Sequence, residues 1–430
     1  MHIFFSGIGG TGIGPLALIA HQAGFSVSGS DKQDSQYIDY LKKHGITTIH
    51  IGQDTANIQA VHEQEPIDWF VYSSAVAIEQ PNSPELVFCR DHAIRTSTRA
   101  DLLNEIMQQK NLHMIAIAGT HGKSTTTAMA VWLFKQLGLP VSYSFGAKTS
   151  FSDMGAFEED SRYFVYEADE FARNFLEFHP TLSIITGVDY DHPDIYPSRE
   201  DYEAAFDQFI GQSRQAVMWE NDFSKLHPSP ETDTTVLDEH TEILNMFSLI
   251  GDVNRRNALQ VVTALHNLTG HDVNDLIGHM NRFPGLSRRF EQLQPNLYTD
   301  YAHTPPKIRG AIQTAHEVAG DSVVVVYEGL HNTRQHFIKA ELVKLFDDVK
   351  QLYVVPSYLA REDPNLALLS PADLINLLSN EAQAKAAPMQ LDESLKEAIQ
   401  THLGNGDLVL CLTAGGGNSL DEWLRKEFGT

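Results

Sequence analysis

Three things are scarce in this chain of 430 residues, and each scarcity excludes a class. There are two cysteines, Cys89 and Cys411, far apart in sequence. They support neither a disulfide framework nor a zinc cluster, and they agree with a reducing compartment. Basic residues are outnumbered: Lys plus Arg is 31 against Asp plus Glu 56, a net charge of −25. Such a surface repels phosphate backbones and anionic lipid, so no nucleic acid is expected as a partner, and an anionic substrate must be met by a few local positive groups. Long apolar runs are missing as well. No 18-residue apolar stretch exists and no basic-then-apolar leader precedes the strand-like residues 2–5, which predicts a cytoplasmic chain without a membrane partner.

What remains is ordinary globular material, with 42% hydrophobic and 20% charged residues, and a length that implies two or three domains. Apolar strand-like runs alternate with helical periodicity. Residues 2–6, 25–29 and 69–73 read as strands around helices at 15–23 and 35–44. A second set begins at Met114, with strands at 163–167 and 182–186 and helices at 201–210 and 254–268. A third has strands at 297–301, 322–327, 351–356 and 408–412, helices at 306–318 and 336–346, and an Ala-rich segment at 381–387 that reads as helical. The pattern predicts three α/β domains: a Rossmann-like domain over 1–110, a central P-loop ATPase-type domain over 111–292, and a Rossmann-like domain over 293–430.

Residues 118–125 read Ala-Gly-Thr-His-Gly-Lys-Ser-Thr, after an apolar run and before a helical pattern. A glycine turn between a strand and a helix start aims several backbone N–H groups at one anion. Lys123 adds charge, and the Ser124 hydroxyl suits Mg²⁺. Gly119, Thr120, His121, Gly122, Lys123, Ser124 and Thr125 therefore form a candidate ATP site. The general phosphate-loop spacing requires a glycine at position 117, where this chain has isoleucine, so the shorter form G-T-H-G-K-S-T stands in its place.

A second glycine turn, residues 7–12, matches G-x-G-x-x-G, with Asp31 where a ribose-binding acid would stand. Gly9, Gly10, Thr11 and Gly12 fit any diphosphate-bearing ligand, nicotinamide or not. Carboxylates follow the strand ending at 167, and Glu167 is a candidate Mg²⁺ ligand beside the phosphate loop. The next strand leads to Asp189, Asp191 and His192, whose imidazole could add to a metal site. Asn254 and Asn257 share one helical face and suit a purine edge and its phosphates. Arg288 suits phosphate, and Asp300, at a strand end, suits ribose hydroxyls. His331 with Arg334 suits a substrate carboxylate.

In this order the motifs resemble the Mur ligase family, ATP-dependent enzymes that add amino acids to the UDP-muramoyl precursor of peptidoglycan. The resemblance rests on A-G-T-H-G-K-S-T, E-A-D-E at 167–170, D-H at 191–192, N-x-x-N at 254–257, R-R-F at 288–290 and D-Y-A-H at 300–303, and spans nearly the whole chain. It implies ATP and Mg²⁺ as cofactors, with Lys123, Glu167 and His192 as catalytic residues and Ser124, Glu167 and His192 at the metal. It also implies UDP-N-acetylmuramate on residues 9–12, Asp31, Ser73, Ser74 and Tyr301. The amino-terminal G-I-G-G-T-G-I, Ser-Ser-Ala at 73–75, Arg-Ala-x-Leu-Leu at 99–103, and the absence of lysine from 193 to 215 resemble the branch joining L-alanine to the lactyl carboxylate. Thr304 after D-Y-A-H, Phe171 to Asn174 after E-A-D-E, and only a partial H-R-x-x-R match at 331–334 depart from that branch. A recycling ligase that adds a preformed peptide is the alternative.

Overall fold

The structure, a computed structural model, describes all residues except 73–75, 77–81, 148, 193–194, 360–361, 414 and 430. By internal contacts the chain divides into two compact units, Met1–Phe247 with Asn257–Phe283, and Ser248–Arg256 with Pro284–Thr430. The first unit carries two sheets. One has five parallel strands in the order Ile49–Ile51, Ser26–Asp31, His2–Ser6, Trp69–Tyr72, Arg95–Thr98. Its strands His2–Ser6 and Trp69–Tyr72 are apolar on both faces: Phe4 and Phe70 join one buried cluster, and Ile3, Phe5, Trp69 and Val71 the other. Chain order reverses between His2–Ser6 and Trp69–Tyr72. The glycine turn therefore leaves the sheet at the point where α/β proteins open a crevice.

The other sheet of this unit runs Asp233–Leu237, Gln215–Trp219, Leu182–Ile185, His113–Ala118, Tyr163–Glu167, Val141–Ser144, Gly155–Ala156. His113–Ala118 lies between Leu182–Ile185 and Tyr163–Glu167, with Ala118 opposite Ile185 and Ile117 opposite Glu167. That order sets the chemistry, because the segments after both neighbouring strands must flank the phosphate loop. Ile3, Phe5 and Ile19 share one apolar cluster with Met114, Phe164 and Phe206, so the two sheets of this unit are fused through a common core.

The second unit holds a six-stranded sheet, Glu291–Gln294, Leu297–Asp300, Leu408–Leu412, Val323–Leu330, Gln351–Tyr358, Ala386–Pro388. Val323 and Val325 pack into one layer while Val324 and Val326 pack into the other, the period of a strand buried on both faces. Two expectations are corrected here. The helix expected at 336–346 spans Asn332–Leu342, because His331 takes a positive φ of 53° and turns the chain early, and the buried Asn332 amide ties this start to Ala367 and Leu369. The Ala-rich segment is only a short helix, Asn380–Gln383, followed by the edge strand Ala386–Pro388. The ladder offered by Gln351–Tyr358 outweighs alanine's helical preference. Among the described residues no helix is long and apolar enough to cross a membrane.

Candidate active site

The phosphate loop forms where the buried strand His113–Ala118 ends and the helix Lys123–Gln136 begins. Gly119 has φ 144°, and a Cβ there would stand 3.0 Å from the Gly187 carbonyl and against the Thr186 hydroxyl. Gly122 caps the helix at φ 77°, and a Cβ there would press on the Asn257 amide at 3.1 Å. Both positions require glycine. The N–H groups of Gly122, Lys123, Ser124 and Thr125 donate to nothing among the described residues, leaving an open helix end that favours an anion. Thr120 is fixed by the Asp189 carbonyl at 2.7 Å and the Tyr202 hydroxyl at 2.8 Å. The His121 ring meets the Asp189 carboxylate at 2.6 Å; His121, then Lys225, hold that carboxyl well below its usual range against the cost of burial.

Two acids from the segment after Tyr163–Glu167 close on the loop. The Ser124 hydroxyl donates to Glu167 Oε1 at 2.7 Å, and the Gly146 N–H donates to Glu167 Oε2 at 2.8 Å. A hydroxyl and a carboxylate in this contact, beside open N–H groups, fit a Mg²⁺ that draws its remaining ligands from phosphate and water. In keeping with that, no three His, Cys, Asp or Glu side chains converge as a cage among the described residues. Lys123 Nζ donates to the Gly119 carbonyl and to Glu170 Oε2, both at 2.6 Å. Burial lowers the lysine's pKa and Glu170 with its neighbouring acids raises it by more, so it stays charged. His192, at φ 57°, lies across Glu170 with Nε2 3.9 Å from Oε1. Ala172 and Arg173, which follow Glu170 in the chain, also have positive φ.

At the first glycine turn the N–H donors are unequally available. Gly7 and Ile8 donate to the Ser30 carbonyl, Gly9 to the Asp31 carboxylate at 2.8 Å, and Gly10 to the Gly7 carbonyl. Thr11 and Gly12 donate to nothing among the described residues. Facing them is Arg99, whose Nη1 lies 2.7 Å from the position of a Cβ on Gly12, with no side-chain hydrogen bond or ion pair of its own among the described residues. Asp31 thus supports the turn itself. Ser73 and Ser74 lie outside the described residues.

Asn257 is buried against the loop, whereas the Asn254 amide turns back to the Ile250 carbonyl at 2.8 Å. In the second unit Arg288 donates to the Gly415 carbonyl at 2.9 Å and approaches Asp421 at 3.5 Å. Its guanidinium and that of Arg289 both cover the Tyr301 ring, at 4.7 and 5.1 Å. Asp300 accepts from the Phe290 N–H at 2.7 Å, and burial pushes its carboxyl up. Burial and Lys307 hold His303 down to about 3, so it is neutral. His331 caps the helix carrying Arg334 and approaches Glu362 at 3.6 Å. Sequence reasoning missed Arg99 and Glu170. Glu170 is one of three adjacent acids whose spacing does not say which meets the lysine, and the approach of Arg99 to Gly12 leaves no mark on local sequence.

The loop geometry is that of an anion-binding strand, glycine turn and helix start within an α/β architecture, and the comparisons place the chain in one family. Residues 2–111 match the profile of the Mur ligase family, catalytic domain; residues 117–236 match the Mur ligase middle domain; and residues 288–415 match the Mur ligase, glutamate ligase domain. UDP-N-acetylmuramate–L-alanine ligase of Lactobacillus helveticus is 30% identical over 441 residues, covering 94% of this chain and 96% of that protein. The chain belongs to the Mur ligase family. Among solved structures, UDP-N-acetylmuramate-alanine ligase MurC from Thermotoga maritima superposes with a TM-score of 0.74 at 23% identity, covering 100% of this chain and 98% of the other. A murein peptide ligase from Psychrobacter arcticus gives 0.61 at 21% identity, covering 100% and 98%. Both share this three-domain α/β fold.

Proposed function

We propose that the protein joins L-alanine to the lactyl carboxylate of UDP-N-acetylmuramate, using ATP and Mg²⁺, in the cytoplasmic assembly of peptidoglycan precursors. A carboxylate oxygen attacks the γ-phosphorus and ADP leaves. The amine nitrogen then attacks the acyl carbon, phosphate leaves, and the nitrogen gives up its protons as the amide forms. The supporting observation is the set Lys123, Ser124 and Glu167 at the mouth of an open helix N-terminus, in a chain similar over nearly its full length to proteins named for this reaction.

Residues 1–110 carry the UDP-sugar, 111–292 the triphosphate and 293–430 the amino acid. Thr11, Gly12 and Arg99 receive the diphosphate, with Asp31 bracing the turn and Ser73 and Ser74 lining the sugar side. Lys123 and the N–H groups of 122–125 stabilise charge on the transferring phosphoryl group; His121 and Thr120 hold the loop's shape. Ser124, Glu167 and His192 would hold Mg²⁺, which would screen the repulsion between carboxylate and triphosphate. Asn257 packs the loop from behind. Asn254, Arg288 with Arg289, and Asp300 contact nucleotide, Tyr301 contacts the UDP-sugar substrate, and His331 with Arg334 hold the alanine carboxylate. Phosphate release with ATP, Mg²⁺ and UDP-N-acetylmuramate tests the reading, with L-alanine, glycine, L-serine or a tripeptide added in separate reactions. Absence of release with every acceptor defeats it, and release only with peptide replaces it by the recycling reaction.

A further inference from the structure

Lys123 has three ammonium protons, and the structure spends two of them. One goes to the Gly119 carbonyl within the loop. The other goes to Glu170 Oε2, also at 2.6 Å. Glu170 is 2% exposed and the Lys123 side chain 15%, so this is a nearly dry ion pair rather than a surface contact. The contact with Gly119 belongs to the loop's own curl and leaves the ammonium beside the open N–H groups of 122–125. The contact with Glu170 is the ammonium's one side-chain ion pair among the described residues. Glu170's backbone is pinned, its carbonyl accepting from the Tyr196 hydroxyl at 2.5 Å and the Arg173 N–H at 3.0 Å. On the far side of its carboxylate lies the His192 ring, Nε2 at 3.9 Å from Oε1.

We infer that Glu170 is a built-in stand-in for the nucleotide's phosphate: a positioning residue that pairs with Lys123 and holds it aimed before nucleotide binds, and that surrenders it when the triphosphate arrives. Two anions compete for one ammonium whose reach Gly119 fixes. A buried lysine left without a counter-ion is costly, and Glu170 supplies one from within the chain. Binding exchanges carboxylate for phosphate on Lys123. Nucleotide affinity is thereby held down, since each binding event must break an ion pair as it makes one.

The inference rests on the ATP reading, and its test separates the two. ATP binding is measured by calorimetry in EDTA, which removes the metal that Glu167 would hold, for wild type, E170Q, K123M and K123M/E170Q. E170Q is expected to bind metal-free ATP about tenfold more tightly than wild type, because a competing charge is gone. The same exchange against K123M is expected to give no gain, because the effect acts through the lysine. A purely structural role would lower the melting temperature without tightening ATP. Should E170Q fail to fold, E170D carries the same expectation, since it withdraws the charge from the ammonium by one methylene. E170Q binding no tighter than wild type, or tightening equally without Lys123, overturns the inference and leaves ATP binding intact. Wild type failing to bind ATP with or without Mg²⁺ overturns the ATP reading itself.

Discussion

Glu85 gives the sharpest stability prediction. It is fully buried beneath the first glycine turn, where the hydroxyls of Ser6 and Ser30, at the ends of adjacent strands, both donate to it at 2.5 Å. Burial pushes its carboxyl up; the two serines pull it back, Asp54 and Asp31 push it up again, and it settles at about 7 against an ordinary 4.5. A raised carboxyl pKa means that the folded state prefers the proton. Below pH 4.5 folded and unfolded chains both hold it, and nothing is lost. As pH climbs toward 7 the unfolded chain releases the proton first, and stability drains until the folded group ionises too. With 1.36 kcal/mol per unit, the loss across that window is about 3 kcal/mol, a large share of a domain's stability. Glu85→Gln keeps the shape, and the serine hydroxyls can rotate to serve the amide, so the variant escapes the loss. Urea unfolding of wild type and variant at pH 5 and pH 8 measures it. The two should nearly coincide at pH 5, and the variant should be about 3 kcal/mol more stable at pH 8. A difference independent of pH, or one that shrinks with rising pH, refutes the reasoning.

Lys123→Met should lower phosphate release at least about a hundredfold while UDP binding, which uses the other glycine turn, is unchanged. Loss of both would refute the separation of the two sites. Gly119→Ala should weaken ATP binding at least about tenfold, since the new Cβ meets the Gly187 carbonyl at 3.0 Å and the backbone φ of 144° is strained for alanine. Calorimetry with ATP shows it, and unchanged affinity would mean that the loop relaxes freely. Arg99→Ala should weaken UDP binding about tenfold and leave ATP alone. Equal losses for both nucleotides would instead report general damage.

What was legible in the sequence was local. The strand, glycine turn and helix start of residues 113–125 lie within one short stretch, so residue type and spacing suffice there, and Ser124 at the helix start meets Glu167 because Glu167 ends the strand beside His113–Ala118. Choices among equals were not legible. Three acids follow Tyr166, and only the turn built by Ala172 and Arg173 sends Glu170 to the lysine. The six-residue glycine motif was visible, but which N–H groups stay open depends on Ser30 and Asp31 from the next strand. The segment at 386–388 went to a sheet edge because a distant strand offered hydrogen bonds that local propensity does not register.

The central claim is that ATP activates the lactyl carboxylate before the amine arrives, and oxygen transfer tests it most directly. UDP-N-acetylmuramate labelled with ¹⁸O in the lactyl carboxylate is turned over with ATP, Mg²⁺ and L-alanine, and the released phosphate is analysed by mass spectrometry. The account predicts one ¹⁸O in each phosphate, one ¹⁸O retained in the amide product and none in ADP. Unlabelled phosphate accompanying amide formation would contradict it.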